Sequence, residues 1–142
     1  MKEALERIDS GVLFVLLGHT QEGDELVNSN QAAFEKSLQV ELSNITLPAE
    51  GEKAARLRDL FRQYESQLKG VVDPVQPGDL QTQAYFRNLL PLFGQIKSQA
   101  DEILQLNQQN MSDANDRARR SAESARKQMY VFLSVGTALA VI

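Results

Sequence analysis

The chain has no cysteine and no tryptophan, one histidine, four prolines and eight glycines among 142 residues. Without cysteine there is no disulfide, no thiolate nucleophile and no cysteine-bound zinc, although the compartment stays open. A single histidine, His19, excludes a multi-histidine metal centre within one chain. No metal and no cofactor are therefore expected. Aromatics make up only 6% of the residues, and Phe34, Phe61, Tyr64, Phe86 and Phe93 read as core rather than as a cofactor cage. Charge of one sign is also lacking: 15 basic side chains face 19 acidic ones, a net −4 that offers no broad positive field for nucleic acid. Paired carboxylates, a glycine-rich phosphate loop and a nucleophile–base motif are all missing, so the sequence reads as non-catalytic. The opening MKEALERIDS is charged and amphipathic, unlike a cleavable signal peptide.

A hydrophobic run of membrane-crossing length is missing too. What is present is QMYVFLSVGTALAVI, Gln128 to Ile142, with no charged residue from Met129 onward. Those fourteen residues fall short of the ~20 that span a hydrocarbon core. A buried core helix would keep a polar face, and so would an interfacial anchor; this run has neither. The expectation is a transmembrane helix begun here and completed beyond Ile142, with Tyr130 at the interface. Arg117, Arg119, Arg120, Arg126 and Lys127 precede it. By the positive-inside rule they favour the cytoplasm, but long translocated segments escape that rule, so charge alone leaves orientation open.

Breakers fall at GHTQEGDE (residues 18–25), SNITLPAEGE (43–52) and KGVVDPVQPGD (69–79). They predict an all-α protein with helices over about 3–18, 24–44, 49–69 and 79–128. Leu5, Ile8, Val12, Val15 and Leu16 form the first apolar stripe; Val27, Phe34, Leu38, Leu42 and Ile45 form the second, behind Asp24 as N-cap. Leu57, Phe61, Tyr64, Leu68 and Val71 make a coiled-coil-like seam, with Gly70 as the stop. Pro91 should kink the last segment or restart it. Four helices joined by short connections predict an up-and-down antiparallel four-helix bundle over residues 1–128, followed at 129–142 by the start of a membrane helix. About fifty residues from Asp79 to the tail, at ~1.5 Å each, make a last helix of ~75 Å against ~30 Å for its neighbours. A first helix to match needs more turns than precede Gly18, so Met1 is read as lying within a longer chain.

Between Gln99 and Met129 one face repeats every eleven residues: Ala100, Met111 and Ala122; Ile103, Ala114 and Ala125; Asn107, Ala118 and Met129. A period of about 3.67 residues per turn keeps such a face almost straight. Small residues let another helix approach closely and slide or rotate, which suits a moving rod; alanine is also simply a good helix former. Asn107 and Asn110 either fix register within the seam or face water.

The segments DEILQLNQQNMSDANDRARRSAESARKQMYVFL (101–133) and YFRNLLPLFGQIK (85–97) resemble the end of the periplasmic helical sensor domains of bacterial two-component histidine kinases. GHTQEGDELVNSNQAAFEKSL (18–38) is similar to the first connection in that group, and the resemblance covers most of the chain. It implies an extracytoplasmic domain at the bacterial inner membrane and a homodimer through parallel helices. It also implies a signal passed down the last helix, along Asn107, Met111, Ala114, Ala118, Ala122, Ala125 and Met129, to a cytoplasmic kinase core. The lipid bilayer is then a partner through residues 129–142. Chemotaxis receptors share this architecture. A membrane-anchored helical docking protein with no signalling role is the reading from another class.

Where the first connection meets the third and fourth helices, His19, Lys69, Tyr85 and Arg87 are candidates for binding a small anion, with Arg87 supplying a planar donor fork. The plainer reading makes the same residues the solvated ends of ordinary amphipathic helices.

Overall fold

The computed structural model describes residues 1–45 and 48–140 and holds no strand among them. Its elements are α1 (Lys2–Leu16), α2 (Thr20–Ser43), α3 (Pro48–Val71), α4 (Gly78–Ala84), a π-helical turn (Tyr85–Leu89) and α5 (Leu90–Ala140). The last three follow one another without a break, so one long helix runs from Gly78 to Ala140. Two compact units divide it, Met1–Leu104 and Gln105–Ile142.

In the first unit α1 forms because Leu5, Ile8, Val12 and Val15 recur at helical spacing, and all four are buried. It stops at Gly18, whose φ of 91° is a left-handed conformation that a side chain would resist. The Gly18 N–H donates to the Val15 carbonyl at 3.0 Å and the His19 N–H to the Phe14 carbonyl at 2.9 Å. That pair of bonds is a Schellman stop. The stop occupies only Leu17 to His19, so α2 begins at Thr20, four residues before the expected Asp24, which lies inside the helix. Gly23 does not break α2, because its function is packing. A Cβ on Gly23 would sit 2.6 Å from the Gly11 carbonyl oxygen, and one on Gly11 would sit 2.8 Å from that of Gly23. The bare backbones of α1 and α2 touch there.

The α2 stripe meets the α3 seam at Phe34 and Phe61, whose rings stack with centroids 4.0 Å apart. Leu57, Phe61, Tyr64, Leu68 and Val71 are all buried. Burying a side chain of this size stabilises by ~1.5–3 kcal/mol, which outweighs the weak helix preference of Gly70 and carries α3 through to Val71. Ile45 ends up exposed past the end of α2. Leu89, Ile96, Ala100 and Ile103 complete the core from the last helix.

Pro91 neither restarts the helix nor ends it. A proline ring crowds the carbonyl four residues back and brings no N–H of its own. The turn just ahead of it is widened: the Leu90 N–H reaches the Tyr85 carbonyl, five residues back. Tyr85 and Leu89 face inward, while Phe86, expected in the core, is 58% exposed and meets the Tyr85 ring edge-on.

In the second unit α5 remains helical to Ala140, and every residue from Met111 to Tyr130 is exposed. Among the described residues no helix is long and apolar enough to cross a membrane. The expected membrane segment, 129–142, runs past residue 140 and so lies partly outside them.

Candidate functional site

Polar chemistry inside the first unit gathers where α1, α3 and the π turn meet. The Tyr85 hydroxyl donates to Asp9 Oδ1 at 3.0 Å, linking residues 76 positions apart. Asp9 is half-buried, and loss of water holds its carboxyl above the usual aspartate range, although the Tyr85 hydrogen bond pulls the other way. Burial, then the Asp9 charge and the hydrogen bond to it, push the Tyr85 phenol up to about 12. Tyr64 is fully buried nearby, and its hydroxyl has no hydrogen-bond partner among the described residues. Burial first, with the negative field of Asp9 second, drives its phenol well above the ordinary range.

The four residues expected to bind an anion occupy separate settings. His19 caps the α1–α2 stop: its ring meets Phe14 edge-on at 6.1 Å, and its Nδ1 lies 3.1 Å from Glu22 Oε2. Phe14 and His19 are the apolar pair that accompanies a Schellman stop. Tyr85 is buried, with its hydroxyl committed to a carboxylate, so an anion there would meet Asp9. Arg87 is exposed on the π turn. Lys69 is exposed on α3, where its charge acts on Glu65. The Glu65 carboxyl is held above its ordinary range by burial first and by a hydrogen bond with Glu35 second, against the pull of Lys69 and Arg62.

A shallow hollow of about 590 Å³ lies beside His19, lined by Phe14, Glu22, Glu25, Leu26 and Ser29. Its charged rim is acidic, the wrong sign for an anion. Among the described residues no group of three or more His, Asp or Glu side chains is placed to hold a metal.

The seam residues Met111, Ala114, Ala118, Ala122, Ala125 and Met129 are exposed in the single chain, with Met111 at 72%. Asn107 is half-buried and engaged by its surroundings. The side-chain nitrogen of Asn110 is buried with no hydrogen-bond partner among the described residues.

Sequence reasoning missed Asp9 altogether. It flanks an ordinary amphipathic stripe, and nothing local ties it to Tyr85. Comparison of the chain with protein-family models, with curated proteins and with solved structures finds no match.

Proposed function

We propose that this chain is the extracytoplasmic signal-sensing domain of a membrane-bound histidine kinase of the bacterial inner membrane. It acts as a parallel homodimer and carries no catalytic chemistry of its own. Its first unit is an up-and-down four-helix bundle of α1, α2, α3 and the final helix. Supporting the antiparallel order are Lys2 with Asp101, Glu6 with Lys97 and Asp9 with Tyr85, where one index rises as the other falls. Lys53 with Glu102 ties α3 to the same helix.

The observation that carries the reading is the unbroken α5. It holds Ile96, Ala100 and Ile103 in the core and continues as one helix into the apolar run that begins at Met129. A ligand or protein partner met at the end bearing the α1–α2 stop and the π turn biases two packings of that helix, and the difference travels along it. The seam from Asn107 to Met129 packs against its copy in the dimer. The acidic hollow at His19 and the engaged Tyr85 hydroxyl tell against a small anion as that ligand.

The absence of native cysteine makes the test direct. Cysteines introduced singly at Asn107, Met111, Ala114, Ala118, Ala122, Ala125 and Met129 should cross-link between copies in membranes. Cysteines at Arg117, Arg120 and Lys127 should not. A flat pattern defeats the dimeric rod. The reading frame should also encode a hydrophobic segment before Met1 and a kinase core after Ile142. A long coiled coil there would mean a chemotaxis receptor, and a stop within a few residues a docking protein.

A further inference from the structure

We infer that the exposed basic face of α5 between Arg117 and Lys127 binds the anionic headgroups of a phospholipid surface; this rests on the membrane reading above. Within those eleven residues stand five cations, Arg117, Arg119, Arg120, Arg126 and Lys127, against the single anion Glu123, a local +4 in a chain of net −4. All six are exposed. Among the described residues the one ion pair they make is Arg119 Nε with Glu123 Oε1, at 3.4 Å. The positive charge is therefore available rather than neutralised at home.

Its placement fits a lipid surface. At about 100° per residue Arg120 and Lys127 fall opposite the line of Ala114, Ala118, Ala122 and Ala125, and Arg117, Arg119 and Arg126 lie roughly 90° to either side of it, so a helix partner on the alanine face leaves the first two uncovered and the other three at its rim. Arg126 and Lys127 lie three and two residues before Met129, or ~3–5 Å along the axis. That is within the headgroup layer, which extends ~5–7 Å beyond the hydrocarbon core. Arg119 and Arg120 lie ~14–15 Å away, where flexible stems and a Debye length of ~8 Å still let them sense the surface. Four of the five are arginines, whose planar fork pairs with phosphate oxygens. A nucleic acid would satisfy the charge, but it has no use for the apolar run that follows directly.

Vesicle partition of the 142-residue chain provides the test, with phosphatidylcholine vesicles beside vesicles rich in phosphatidylglycerol. The chain should prefer the anionic vesicles, and salt raised from ~0.1 M to ~1 M, which cuts the Debye length from ~10 to ~3 Å, should erase the preference. At about fivefold per cation near the surface, Arg126→Gln with Lys127→Gln should weaken anionic binding roughly 25-fold and leave phosphatidylcholine binding unchanged. Glutamine keeps the helix preference of the residues it replaces, and circular dichroism of the variant checks that. Equal binding to both vesicles, or a variant that still prefers the anionic ones as before, overturns the headgroup inference while the membrane reading survives. No binding to either vesicle overturns both.

Discussion

Tyr64 and Tyr85 bring the same hydroxyl into the same part of the core, and among the described residues only Tyr85 has a partner there. A hydrogen bond to a charged acceptor contributes ~1.5–3 kcal/mol, so Tyr85→Phe should lose about that much in urea unfolding. Tyr64→Phe removes a buried hydroxyl that is unsatisfied among the described residues, and should be neutral or stabilising by ~1–3 kcal/mol. If it costs as much as Tyr85→Phe, the Tyr64 hydroxyl is bonded in solution. Asp9 sets the sign of a pH effect. Its folded pKa is raised, so the folded protein holds the proton more tightly than the unfolded chain does. The stability gained by that proton falls away as pH rises from the ordinary value of 3.8 through the folded value. Asp9→Asn should therefore exceed the parent in stability at pH 7, with the gap closing on acidification towards pH 4. Melts at both pH values decide it. None of this trio was legible as a group, because a contact across 76 positions leaves no trace in local spacing.

The apolar stripes of α1 and α3 were plain in the sequence, since burial at period 3.6 dictates which residues recur, and all of those positions except the half-buried Leu16 are buried. Glycine was harder to interpret. Gly18 stops a helix through its backbone angle, whereas Gly23 lets two helices touch, and the letter is the same in both places. Gly11→Ala forces a methyl against the Gly23 backbone and should cost ~1–3 kcal/mol. Gly94→Ala meets nothing within 4 Å, inside the continuous run of helix that begins at Gly78, and should stabilise by ~0.5–1 kcal/mol. Thermal melts of the two variants should move in opposite directions. His19 was correctly placed at the break, but its neighbours Phe14 and Glu22 give it a structural use that composition could not reveal.

Across the assembled first unit, Lys2–Asp101, Glu6–Lys97 and Lys53–Glu102 set the register of the last helix against α1 and α3. Solvent screens such pairs, so they select an alignment more than they hold it. Their Lys partners hold the Glu6 and Glu102 carboxyls below the ordinary value of 4.5. The stability they add is complete above that value and lost as pH falls through the lowered ones. Glu6→Gln combined with Glu102→Gln should flatten the acid limb of an unfolding curve below about pH 4.5. An unchanged limb would assign acid sensitivity to other groups. The widened turn at Tyr85–Leu89 bears on chain length. A loop closed from Leu90 back to Tyr85 stores one amino acid more than a regular turn requires. Excising Asn88, which is exposed there, should leave a foldable protein with both flanking faces still directed as before. Excising Ser98, which is also exposed, should swing Gln99, Ala100 and Ile103 about 100° out of the interior and unfold it. The long helix should thus tolerate shortening in the widened turn beside Pro91, and not at Ser98 one regular stretch further on.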